Sequence, residues 1–226
     1  MRVLLICDDY WHPKQVPIEG VAPLKEQGFQ FEIISDAKDF KPETLSEYPV
    51  VLLVKSDQVS QEDKTSWKTE AVQKAFIAYV EAGGGLLAVH SGIVGCNENW
   101  GLEGLIGCKL TYHPHDCPVT VHPLKPHPVT EGVEVFCETD EHYRLEILSP
   151  DVNILAASYS PPQGLAEKYE EDPYNNTRAW ICPAAYVRTQ GKGRVCVLTP
   201  GHLLPVWLNP QFQRTLANAL HWAAGE

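Results

Sequence analysis

The 226 residues carry 29 Asp and Glu against 18 Lys and Arg, for a net charge of −11, with 44% hydrophobic and 21% charged residues. That length supports a full hydrophobic core, and an acidic balance without a Lys/Arg cluster argues against a nucleic-acid partner. No apolar run approaches the ~18–20 residues of a membrane span, so a protein without membrane contact is expected.

RVLLIC (2–7) reads as a buried first strand rather than a leader, because two aspartates end its short apolar run. A helix is predicted around 17–27, stopped by Gly28. FQFEIIS (29–35) and VVLLV (50–54) read as the second and third strands. Over 66–82, Trp67, Val72, Ala75, Phe76, Tyr79 and Val80 follow the i, i+3, i+4 spacing of an amphipathic helix, which the glycines at 83–85 end. LLAVH (86–90) is the next strand, and this alternation implies a parallel sheet covered on both faces.

Residues 109–140 are rich in Pro and His, with short alternating pieces such as CPVTVHP and VEVFCET. NILAASYS (153–160) and RAWICPAAYVR (178–188) read as antiparallel strands on either side of the polar loop PPQGLAEKYEEDPYNN. GKGRVCVLTPGH (191–202) is a tight turn, a buried strand and a sharp exit, and a final helix over 210–225 has Pro210 near its start. With no repeat and no composition break, a single domain over 1–226 is expected. The seven cysteines form no C-x-x-C pair, and Cys7 and Cys196 lie in apolar runs, so reduced thiols of a cytoplasmic protein are expected.

GGGLLAVHSG (83–92) leads a strand into a sharp turn. A nucleophile elbow needs small residues two before and two after its apex. Centred on His90 these are Ala88 and Gly92; centred on Ser91 they are the β-branched Val89 and Ile93. His90 therefore takes the apex, projecting outward at the carboxyl end of a strand, where open α/β sheets bind ligands.

GGGLLAVHSG, HPVTEGV (127–133), ETDEHYR (138–144) and GKGRVCVLTPGHLLPVWLNPQFQRTLANALHWAAG (191–225), in this order, resemble the ThuA-like family, named for trehalose utilisation. The likeness runs from about Val50 to the C-terminus. It implies a three-layer α/β fold of the class I glutamine amidotransferase-like (flavodoxin-like) type, with a mainly parallel central sheet and added antiparallel strands. It sets His90 where the amidotransferases carry their cysteine and His202 where they carry their histidine. Glutaminase activity is not expected, because a neutral imidazole does not replace a thiolate. The resemblance also implies a small-molecule carbohydrate partner, in the breakdown of disaccharides and their 3-keto forms.

His90, Glu141 and His202 are the expected catalytic set and metal ligands. Two imidazoles and a carboxylate with an open position suit Zn²⁺ and similar ions. The same groups can move protons beside a sugar carbonyl, as in isomerisation or eliminative cleavage. No nucleotide cofactor is expected. His12, Trp11, Ser91, His113 and Tyr143 are assigned to substrate binding, Trp11 as a stacking wall and Tyr143 as a hydrogen-bond donor. Asp140 is read as a capping or orienting group, His127 as structural and Lys55 as an ordinary exposed lysine. The remainder of 112–128 is read as a rigid loop over the site rather than a Cys/His metal cluster. Two other classes stand beside the enzyme: a non-catalytic sugar- or partner-binding module, and a serine hydrolase using Ser91 and His202, which the elbow spacing disfavours. Homo-oligomerisation stays open.

Overall fold

In chain order the elements are β1 (Arg2–Cys7), α1 (Gln15–Gly20), β2 (Gln30–Ile34), β3 (Val50–Val54), α2 (Glu70–Glu81), β4 (Gly85–Val89), α3 (Trp100–Ile106) and β5 (Cys108–Tyr112). There follow β6 (Cys117–Pro123), β7 (Phe136–Asp140), β8 (Arg144–Ile147), β9 (Asn153–Ser160), β10 (Trp180–Gln190), β11 (Gly193–Leu198), α4 (Leu204–Leu208) and α5 (Pro210–Ala224). This computed structural model describes residues 1–95, 100–160 and 180–226. The polar loop expected over 161–176, and the first two residues of the strand expected over 178–188, lie outside the described residues.

Nine strands form one mixed sheet in the order β2-β1-β3-β4-β11-β10-β9-β6-β7. The first five run parallel, and β10, β9, β6 and β7 continue the sheet antiparallel. β5 and β8 pair separately. β3 and β4 are buried along their whole length, which is why they read as unbroken apolar runs. Alternate residues of each strand feed two cores. Val3, Leu5, Leu87 and Cys196 pack with Trp207, Phe212 and Leu216 on one face. Leu4, Ile6, Leu53 and Val197 pack with Phe76, Val80 and Leu105 on the other. Cys7, Cys108, Cys182 and Cys196 are buried free thiols. No described helix is long and apolar enough to cross a membrane.

Some local expectations are corrected. The helix expected over 17–27 divides into α1 and a 3-10 segment, Ala22–Gln27. Pro23 has no amide to continue the α-helical ladder, so the chain tightens there. Gly28 ends the segment at φ +89. The helix expected from residue 66 begins at Glu70, because the Thr69 side chain accepts from the Val72 amide and caps it. Trp67 turns inward instead, donating its indole N–H to the Ser56 carbonyl at 2.7 Å. The stretch 112–128 is not one loop, since β6 occupies 117–123 of it.

Candidate active site

Three parallel strands end in histidine-bearing turns. β4 leads into a 3-10 turn in which His90 adopts φ +47. Only Asp8 and His90 among the described non-glycine residues have positive φ, and both follow strands that end at the same site. A Cβ on Gly92 would lie 2.0 Å from the Leu53 carbonyl oxygen, so the turn admits only glycine there. The elbow is thus centred on His90 and not on Ser91.

His90 corrects the picture of an outward-projecting apex. It is fully buried, stacked on Tyr143 with ring centroids 4.2 Å apart and flanked by His12 and His202. Its Nδ1 lies 3.0 Å from the Thr199 carbonyl oxygen, which can only accept, so Nδ1 carries the ring proton. The Nε2 lone pair therefore faces the site, 3.3 Å from His202 Nδ1 and 3.2 Å from Glu141 Oε2. Burial pushes the His90 pKa down to about 4, against the opposing pull of Glu141, so the ring is neutral at neutral pH.

Glu141 follows β7 and enters from the far edge of the sheet. Its Oε2 also lies 3.5 Å from His202 Nδ1, and its Oε1 lies 3.4 Å from His113 Nδ1. Burial alone would raise its pKa, but His90, His113 and His202 hold it below the usual carboxylate range. Oε2 is buried and, despite its nearness to both rings, makes no hydrogen bond of acceptable geometry. It sits between the nitrogens of His90 and His202. One donor atom from each of His12, His90, Glu141 and His202 lies within 4.8 Å of all the others. Three imidazoles and a carboxylate converging in this way could hold a transition-metal ion such as Zn²⁺.

The site is braced by an Asp at each end. Asp140, wholly buried, accepts from the Gly201 amide at 2.8 Å and the His202 amide at 2.9 Å, fixing the turn after β11. Burial pushes its pKa up to about 7, with the backbone N–H groups opposing. Burial also lowers the His202 pKa. At the other end, His12 Nδ1 lies 2.8 Å from Asp9 Oδ1.

A family model described as trehalose utilisation (ThuA) matches residues 2–223. The chain belongs to the ThuA family. A protein described as ThuA-like from Bacteroides uniformis has a similar structure, with a TM-score of 0.71 at 20% identity over 99% of this chain and 91% of the other. A cytoplasmic protein from Salmonella typhimurium gives 0.63 at 14% identity, over 99% of both chains. An α-L-fucosidase from Paenibacillus thiaminolyticus gives 0.65 at 15% identity over 99% of this chain and 33% of the fucosidase. At these identities the likeness speaks for the fold. Comparison with curated proteins finds no sequence match.

In this ThuA-family chain the remaining expected site residues separate. His12, read from sequence as a substrate contact, sits in the four-donor cluster. His113 stands at the edge, its side chain 38% exposed. Trp11 is 63% exposed beside the cluster, with Tyr10 edge-on to it at 4.7 Å. Tyr143 is buried, a wall under His90 rather than a donor at the mouth. The Ser91 hydroxyl is buried and has no hydrogen-bond partner, so no Ser91–His202 pair exists. His127 caps a short turn by accepting from the Val129 amide. Lys55 is not exposed: it is fully buried, donates to the Asp8 and Ser35 carbonyls, and burial lowers its pKa. Its place directly after β3 was the signal available for it. His142 was missed as well; it is buried, with Nε2 3.1 Å from the Ser158 hydroxyl oxygen.

Proposed function

We propose that this chain is a cytoplasmic, metal-dependent enzyme of disaccharide or keto-sugar breakdown, built on a glutamine amidotransferase-like scaffold that has lost its thiol. The convergence of His12, His90, Glu141 and His202 within 4.8 Å carries the reading. The fit to a cation rests on the donors. Nδ1 of His90 and of His12 are engaged elsewhere, which leaves Nε2 of each with a lone pair, and Glu141 Oε2 is buried without a hydrogen bond. His90 at the strained apex, where an amidotransferase would need a thiolate, argues against glutamine hydrolysis.

These four residues would hold a divalent ion, which when bound would supply Lewis-acid chemistry toward a sugar carbonyl or hydroxyl. The chain's own residues do the rest. Trp11, exposed at the rim with Tyr10 against it, offers a face on which a pyranose ring stacks. His113 is half-exposed, with Glu141 Oε1 3.4 Å behind its Nδ1, and is placed to exchange a proton with a bound sugar. Tyr143 and His90 close the floor of the site against water.

A second reading, a non-catalytic sugar-binding module, draws on the fucosidase, where the similar region is a third of a longer chain. Metal analysis of the purified protein, with trehalose and 3-keto-trehalose assayed before and after chelation, separates the two. About one divalent ion per chain and turnover restored by that ion is the expected result. Sugar binding with neither metal nor turnover supports the module.

A further inference from the structure

The turn after β1 contains a buried carboxylate that the chemistry above does not use. Asp9 is completely buried, and four N–H groups converge on it. Its Oδ1 accepts from the Trp11 amide at 3.0 Å, the His12 amide at 3.1 Å and His12 Nδ1 at 2.8 Å, and its Oδ2 accepts from the Ser56 amide at 2.9 Å. Both oxygens already accept backbone N–H groups, so the carboxylate accepts from the ring as well and the proton of His12 belongs to Nδ1. The turn is anchored on both sides. The preceding Asp8 has φ +78, its carbonyl accepts from the buried Lys55 amine, and its Oδ1 accepts from the Lys14 amide and Gln61 Nε2, each at 2.9 Å.

We propose that Asp9 is a positioning residue: it fixes the ring and tautomer of His12 so that the Nε2 lone pair is presented to His90, Glu141 and His202. The inference rests on the metal-site reading, because a neutral donor nitrogen is what that cluster requires of His12. The backbone bonds alone would explain a carboxylate that serves the loop. The 2.8 Å bond to the ring is what ties it to the site. Outer partners of this kind change metal affinity by about 10–100-fold. Asp9→Ala removes the oxygen that holds the proton on Nδ1, and an imidazole without that partner prefers its other tautomer. The ring proton then moves to Nε2, where it blocks donation.

Two measurements on the full chain test this. ¹⁵N spectra of the metal-free protein report the His12 tautomer: the Nδ1–H form is expected in the wild type and the Nε2–H form in Asp9→Ala. The Nε2–H form in the wild type would overturn the proposal without any variant needing to fold. Zn²⁺ affinity, measured by competition with a chromophoric chelator, is expected to fall about 10–100-fold in Asp9→Ala. It should fall no further in Asp9→Ala/His12→Ala than in His12→Ala alone, since Asp9 acts through His12. Additive losses, or no loss in Asp9→Ala, would mean that Asp9 serves only the loop. If the wild type binds no Zn²⁺, the metal reading fails while the tautomer still decides the role of Asp9.

Discussion

The two halves of the sheet are built differently and contribute differently to the site. The parallel half, β2-β1-β3-β4-β11, is buried on both faces where β3 and β4 run, and three of its strands end in His12, His90 and His202. The antiparallel half, β10-β9-β6-β7, contributes Glu141 directly after its outermost strand. Imidazoles thus come from one half and the carboxylate from the other. The parallel half can be expected to couple site and stability tightly at His90, the one wholly buried member of the cluster. In the antiparallel half the two should separate.

His90→Ala has the largest expected effect. It leaves a cavity under Tyr143 and an unpaired Thr199 carbonyl, costing about 2–4 kcal/mol of stability as well as the metal. Glu141→Gln should lower Zn²⁺ affinity by more than the about 10–100-fold of an outer partner while changing the urea midpoint little. Paired denaturation and metal titrations compare the two; equal losses of stability would remove the contrast between the halves. Gly92→Ala pushes a methyl group into the Leu53 carbonyl and should cost about 1–3 kcal/mol. Gly104→Ala, in α3 with open space around it, should be neutral or stabilising by up to about 1 kcal/mol. Thermal melts of both check this.

A smaller effect concerns pH. His142 and His90 both have ordinary values of 6.5 depressed by burial to about 4. Between those values the unfolded chain binds more protons than the native one, so these histidines make stability fall as pH drops from 6.5 to about 4. Asp140, raised from 3.8 to about 7, works the other way, its contribution being lost as pH rises through 7. His142→Gln should therefore reduce the slope on the acid side, read as a difference from wild type in chemical denaturation at stepped pH. Trp11→Ala comes last: stability within about 0.5 kcal/mol of wild type and, if the rim holds sugar, a raised KM.

What could be read from the sequence follows the same division. β3 and β4 lie in contiguous apolar runs, and the demand for small residues at 88 and 92 located the elbow apex. Burial of His90 could not be read, because its cover comes from His12, Tyr143 and His202, remote in the chain. His12 was visible as a strand-end residue, but its place in the four-residue cluster comes with the Asp9 contact at 2.8 Å, which hydrophobic periodicity does not encode. Lys55 misled for a plain reason: a lysine is almost never wholly buried unless its amine is satisfied, and the carbonyls that satisfy it belong to Asp8 and Ser35.

The position of β11 in the sheet also bears on how the chain is made. It lies between β4 and β10 and reaches β4 more than a hundred residues after that strand has been synthesised. At about 5–20 residues per second, a nascent chain spends several seconds or more with the backbone edge of β4 uncovered next to Leu86, Leu87 and Val89. The His12, His90, Glu141 and His202 cluster cannot assemble in that interval either, since His202 comes later still. A ribosome-bound chain stopped at residue 190 is expected to be held by chaperones and to precipitate on release, and one stopped at 226, with α5 also in place over the sheet, to retain far more soluble material. Pelleting assays on the two arrested chains would show whether closing this edge is the step on which cotranslational folding waits.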